Sequence, residues 1–230
     1  FMGKTRLLLI LLLCTLTPGC DKVQESIKAA EHKAELKNRI LQSAQLQDNG
    51  NNLEAIERFK KIAADPTASD QQKAGALRFI SLSYYEMGDY PRSGDFAAQA
   101  AQYYPAGSYF YLVNMADADL MRHDIPSARE RLEQAVKISP RILAANNVLG
   151  LLYLGDNGKE YADFNKALVF NQAAFDIAPG RITEIVLVRN LIKVGHYAQA
   201  ETHLQQLKSK YPDDSRLHSL QNELEHSRDH

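Results

Sequence analysis

Five prolines, Pro66, Pro105, Pro140, Pro179 and Pro212, recur at intervals of 39, 35, 39 and 33 residues, and each ends a stretch of helical patterning. Proline cannot continue a helix, so the prolines read as punctuation. The clearest interval runs from Asn146 to Pro179. Within it, Leu149-Gly150-Leu151-Leu152-Tyr153 sets a large apolar residue, a glycine and an aromatic on one side of a helix. The glycine admits a neighbouring helix closely, and Ala167 and Ala174 follow at the spacing of that second helix. This is one helical hairpin, and the pattern predicts five.

The chain in order supports that reading. A turn at Asp48-Asn49-Gly50-Asn51-Asn52 separates a helix over 23–44 from one over 53–64. In the first helix Val23, Ile27, Ala30 and Ala34 form a thin stripe, which reads as a solvated tether. Leu36, Ile40, Leu41 and Ala44 make the stronger face that starts the packed body. Ala55, Phe59 and Ile62 answer from the second helix. The next unit has Leu77, Ile80, Ser81 and Tyr84, a turn at Gly88-Asp89-Tyr90, then Ser93, Ala97 and Ala100. The third has Leu112, Met115 and Ala116, a turn at His123-Asp124-Ile125, then Ala128, Leu132 and Ala135. The fifth has Leu187, Leu191, Gly195-His196-Tyr197, Ala200, Leu204 and Leu207. After Pro212, Leu217, Leu220 and Leu224 line one face of a polar-backed helix suited to closing an exposed end.

These units resemble tetratricopeptide repeats, whose period is about 34 residues, over roughly Leu36 to Pro212. The fourth unit carries five extra residues around Gly155-Asp156-Asn157-Gly158. With Asp163-Phe164-Asn165-Lys166-Ala167-Leu168 and Ala173-Ala174 it is similar to a Sel1-like repeat. The resemblance implies an all-α, right-handed solenoid: about five hairpins over 36–212 and a C-terminal capping helix over 213–230.

The first twenty residues read as an address. With Met2 as initiator (Phe1 has no explanation in the sequence), Lys4 and Arg6 precede an apolar run from Leu7 to Leu13. That run is about half of the roughly 20 residues a membrane-spanning helix needs, and it suits a signal peptide over 1–19. Pro18-Gly19-Cys20 resembles a bacterial lipoprotein processing site, which implies a lipid on the sulfur of Cys20 and a lipidated tether over 20–35. Thr17 and Pro18 depart from the usual residues, and an ordinary cleaved signal peptide is the alternative. The resemblance implies a membrane-anchored protein facing the periplasm. By the enterobacterial rule Asp21 favours the inner membrane.

Catalytic chemistry is sparse. Seven histidines fall mostly in turns or on polar faces, without His-Glu-x-x-His or paired-cysteine spacing, so no metal is expected. Cys14 and Cys20 offer no disulfide framework for the body. Gly155 and Gly158 follow no strand and precede no Gly-Lys-Ser/Thr, which speaks against a phosphate loop. The formal charge is −1, and losing Lys4 and Arg6 leaves 25 basic against 28 acidic groups, so nucleic acid is not an expected ligand. The expectation is no enzyme and no cofactor.

In the tetratricopeptide family the first helix of each hairpin lines a concave surface. The corresponding positions here are Arg78, Leu82, Tyr85, Phe110, Val113, Asp117, Leu120, Met121, Asn147, Leu151, Leu154, Ile182, Ile185, Arg189 and Ile192. The stripe is mostly apolar and lacks the basic and amide set with which chaperone-tail binders hold a carboxylate. It is expected to leave an exposed patch that binds an apolar segment of a partner, with Tyr85 and Phe110 as anchors. The resemblance implies a lipid-anchored adaptor in envelope assembly. Leu204-Gln205-Gln206-Leu207-Lys208 to Tyr211-Pro212 is similar to the end of the type IV pilotins, lipoproteins that escort a secretin. A β-barrel or cell-wall assembly scaffold is the alternative within this class. A small-molecule-binding lipoprotein would need a polar pocket that the sequence does not display.

Overall fold

The computed structural model describes residues 20–229, with side chains from Gln24 onward. The expected signal peptide and the sulfur of Cys20 lie outside the described residues. The described chain is all-helical, with eleven α-helices: α1 (Cys20–Asp48), α2 (Asn52–Ala63), α3 (Asp70–Glu86), α4 (Tyr90–Ala101), α5 (Tyr109–Met121), α6 (Ile125–Ile138), α7 (Leu143–Tyr153), α8 (Phe164–Ile177), α9 (Arg181–Lys193), α10 (Tyr197–Lys210) and α11 (Ser215–Arg228). Consecutive pairs form five hairpins, and α11 packs on α9 and α10 at the end.

Local chemistry explains where the helices start and stop. Asp89, Asp124 and Asp163 each accept a hydrogen bond from the backbone N–H three residues on, at 3.0, 3.2 and 3.1 Å, which starts α4, α6 and α8. Pro91 and Pro126 sit in the first turn of α4 and α6, where the missing N–H costs nothing. Ser69 and Gln72 form a reciprocal capping box ahead of α3. The tight turns need one left-handed residue. Gly50, Gly88 and Gly195 supply it at φ 77, 76 and 78°, and His123 takes the same place at φ 60°.

Burial runs along the array in three contiguous clusters and not around one centre. The first joins α1 to α4 through Leu36, Phe59, Ile80 and Tyr84. The second joins α5 to α9 through Leu112, Leu132, Leu149 and Leu152, and the third joins α9 to α11 through Leu187, Leu204 and Leu217. On α1 the inner face differs from the one expected. Leu41 is 54% exposed, whereas Ser43 and Gln47 are buried beside Leu36. Helical spacing places 36, 40, 43 and 47 on one side, and Leu41 falls off it. Ser43 satisfies itself on the Arg39 carbonyl at 2.7 Å.

The fourth hairpin departs most from its neighbours. Ten residues, 154–163, link α7 to α8, against three in each other hairpin, and they include a 3₁₀ turn at Lys159–Tyr161. The longer link, together with a shorter α7, accounts for the five extra residues of the repeat. The link is clamped to α6. Arg129 lies over the rings of Tyr153 and Tyr161 at 4.8 and 5.9 Å and donates to the Tyr161 carbonyl at 3.2 Å. The Tyr153 hydroxyl donates to Glu133, and burial with that carboxylate pushes Tyr153 up to about 12.

Gly150 is a close-approach site. A methyl group there would sit 1.8 Å from the Asn171 Oδ1 of α8. Asn171 is buried and donates to Asn190 Oδ1 at 2.8 Å, and Asn190 donates to the Phe164 carbonyl at 2.9 Å. Ala167 and Ala174 are buried on the same helix. The glycine therefore makes room for a buried amide ladder that runs from α7 through α8 to α9.

Candidate binding groove

The first helices of the hairpins can be put in common register on the inward-packed residue of the last turn: Tyr84, Asp119, Tyr153 and Leu191, all buried. The next residue in each is Tyr85, Leu120, Leu154 and Ile192. Along the array these go from 49% exposed, through half-buried, to 9% and 3% exposed. The concave face is thus open at one end and filled at the other.

The open end is a cavity of about 440 Å³ between α3 and α5, floored by Ser93 and Ala97 of α4. One wall carries Gly75, Arg78, Phe79, Leu82 and Tyr85, and the other Asn114, Asp117 and Met121. Ser81 donates to the Ser93 carbonyl at 2.8 Å, tying α3 to the floor. The carboxyl of Asp117 is half-buried, and burial pushes its pKa up to about 6 although the charge of Arg78 pulls the other way. Asn114, one turn earlier, donates to the Phe110 carbonyl at 2.6 Å and leaves its own buried oxygen unpartnered.

Of the fifteen stripe positions, five meet here: Arg78, Leu82, Tyr85, Asp117 and Met121. Phe110 is exposed but stacks on Tyr104 at 5.2 Å, at the start of α5. It lies roughly 15 Å along the helix direction from Tyr85, as ten residues of rise require. The two expected anchors therefore do not share one cavity. Leu120, Asn147 and Leu151 are half-buried, and Ile182 is exposed on α9.

Four stripe residues are not available on the surface, which corrects the expected contiguous patch. Val113 and Leu154 belong to the second core cluster, and Ile185 and Ile192 pack with Leu217, Leu220 and Leu224 of α11. The capping helix covers the positions that the hairpin periodicity would leave facing outward. Arg189 is also engaged, with Nη2 2.8 Å from Asp156 Oδ1 in the fourth link. In the other direction, Gly75, Phe79, Asn114 and the α4 floor line the cavity without belonging to the stripe. The signal available for Asn114 is a lone amide between Val113 and Met115, in a helix whose charged residues are Asp117 and Asp119. Among the described residues no group of three or more His, Cys, Asp or Glu is placed to hold a metal, and no helix is long and apolar enough to cross a membrane.

Known structures share the architecture. The crystal structure of TTC0263, a tetratricopeptide protein of Thermus thermophilus, matches with a TM-score of 0.59 at 16% identity, covering 82% of this chain and 98% of that one. MamA from Desulfovibrio magneticus matches at 0.53 and 19% identity, covering 78% and 97%. YrrB, described as a tetratricopeptide protein with an unusual peptide-binding site, matches at 0.50 and 15% identity, covering 86% and 97%. No family model matches the chain, and no curated protein matches it. At these identities the likeness establishes the fold, a tetratricopeptide-type solenoid, in keeping with the helix order described above.

Proposed function

We propose that this tetratricopeptide-type solenoid is a non-enzymatic adaptor that holds an apolar segment of a partner protein in the cavity between α3 and α5. The observation that carries the reading is an open, mostly apolar cavity of about 440 Å³ on the inner face of the second and third hairpins. A cleft of that size suits a few side chains of a helix or extended strand, the usual way a groove takes a peptide. The peptide-binding site named for YrrB lends the reading support by fold analogy. The rest of the proposal comes from the sequence. A lipid on Cys20 anchors the protein to a bacterial membrane on its periplasmic side, and the partner belongs to an envelope assembly, with a pilotin-like role toward a pilus secretin as its most specific form. A β-barrel or cell-wall assembly scaffold is the alternative partner class.

The test is site-specific photo-crosslinking in membranes of the native host. A photoreactive residue at Leu82 is expected to yield a discrete adduct, and one at Lys137, exposed on α6, is expected to yield none. Adducts from Lys137 alone would overturn the groove. Separately, Cys20→Ser should remove processing and lipidation, and normal mass and fractionation of that variant would overturn the anchor.

A further inference from the structure

Among the described residues, every carboxylate that is buried or half-buried has a hydrogen-bond or ion-pair partner, with one exception. Asp119 meets Arg131 at 2.7 Å, and Asp65 meets Arg39 at 2.9 Å. Glu184 meets His203 at 2.9 Å, and Glu223 meets Lys193 at 2.6 Å. Glu133, Asp89, Asp163, Glu201 and Asp214 are likewise engaged. The exception is Asp117, on the α5 wall of the cavity. A desolvated charge without a partner is costly, and native proteins rarely keep one without a use.

Its surroundings show what is missing. The equivalent positions in the second, fourth and fifth hairpins are Leu82, Leu151 and Arg189, so no other of these hairpins puts an acid there. Arg78, on the facing α3 wall, is the cation whose charge acts on Asp117, but it is exposed and forms no ion pair with it within 4.0 Å. Tyr85 on α3 and Tyr109 on α5 are the other titratable groups nearby, and α4 contributes only Ser93 and Ala97 to the floor. Arg78 does not compensate Asp117, because burial still raises the carboxyl's hold on its proton. The unpartnered oxygen of Asn114 adds a second surplus acceptor to the same wall. Asp117 thus has no cation within ion-pair reach, although Arg78 lines the same mostly apolar cavity.

We infer that the cavity is built for a basic side chain, a lysine or arginine of the partner segment, with its ammonium or guanidinium on Asp117 and its aliphatic stem against Leu82, Tyr85 and Met121. Such side chains combine an apolar stem with a charged head, which matches a mostly apolar cavity whose acid lacks an ion-pair partner. The inference rests on the groove reading above and narrows its ligand from an apolar segment to an apolar segment carrying one cation.

The experiment is selection of a random-peptide display library on the purified full-length protein in detergent, wild type and Asp117→Asn in parallel, with helicity checked by circular dichroism. Wild type should enrich apolar sequences with lysine or arginine fixed at one position. Asp117→Asn should keep the apolar preference and lose the basic one. A selected peptide should bind the variant about tenfold more weakly. It should also bind wild type more weakly as the pH falls below about 6, a dependence the variant lacks. Apolar peptides without a basic position, or a basic preference that survives Asp117→Asn, would overturn this inference and leave the groove standing. No enrichment on the folded wild type would overturn both.

Discussion

The second and third hairpins and the fourth and fifth hairpins share one architecture, yet their inner faces are finished in opposite ways. Between α3 and α5 the face is left open, with Tyr85 and Leu82 exposed and one acid unpaired. Between α7 and α9 it is filled: Leu154, Ile185 and Ile192 are buried, and Asp156 of the long link closes on Arg189. Small residues are used differently as well. Gly75 faces the open cavity with nothing within 4 Å of where a methyl group would sit, whereas Gly150 is packed against the amide ladder. Repeat position therefore does not decide what a groove residue does. The neighbouring link and the cap decide it.

The two glycines should respond in opposite ways to an added side chain. Gly150→Leu should destabilise the protein by roughly 3 kcal/mol, because the new side chain displaces Asn171 and strands buried amides. Gly75→Ala should instead stabilise it by about 0.5–1 kcal/mol through helix propensity alone. Chemical denaturation of both variants checks the contrast, and equal effects would mean that the two halves are finished alike.

Asp117 makes the open half sensitive to pH. Its pKa is raised, so the folded state binds its proton between about 6 and the ordinary carboxylate value of 3.8 while the unfolded chain does not. Stability should therefore fall as pH rises through that window and rise as pH drops through it. Asp65 and Asp214 act in the opposite sense, since hydrogen bonds from Thr67 and from Arg216 hold them down to about 2. Their contribution is lost only below 3.8. Asp117→Asn should flatten the profile between 4 and 6 and stabilise the protein at neutral pH by about 1–2 kcal/mol, allowing for its partial exposure. Thermal melts across pH measure both.

The smallest effect belongs to the closed half. Asp156→Ala should cost only about 0.5–1 kcal/mol, since the pair with Arg189 is half-exposed. If that variant also gained peptide binding near α9, the ion pair would be a gate rather than a surface contact. A competition experiment between wild type and variant would show it.

The hairpins are legible in the sequence because their signals are local: turn residues, small residues at helical spacing, and prolines at the ends. Every one of the five expected hairpins is present, with the long link at the extra residues of the fourth. The groove is legible only in part. Facing direction follows from helical period, so Arg78, Leu82, Tyr85, Asp117 and Met121 can be found. Whether a facing position is open depends on elements distant in sequence, which is why the pattern does not reveal α11 over Ile185 and Ile192. Polar residues used as core, such as Ser43, Gln47, Asn171 and Asn190, are invisible to an apolar pattern for the same reason.

The Arg129 clamp has a consequence for how the array comes apart. In a linear stack each unit is steadied chiefly by its neighbours, so melting can begin at any weak joint and spread. The clamp fastens the α7–α8 link to α6, which makes the joint between the third and fourth hairpins a place where melting stalls. The buried cluster that runs from α5 to α9 crosses the same joint, so core and clamp together couple the third hairpin to the fourth. The open cavity sits where one buried cluster ends and the next begins, so a ligand bridging α3 and α5 would add a tie between the second and third hairpins.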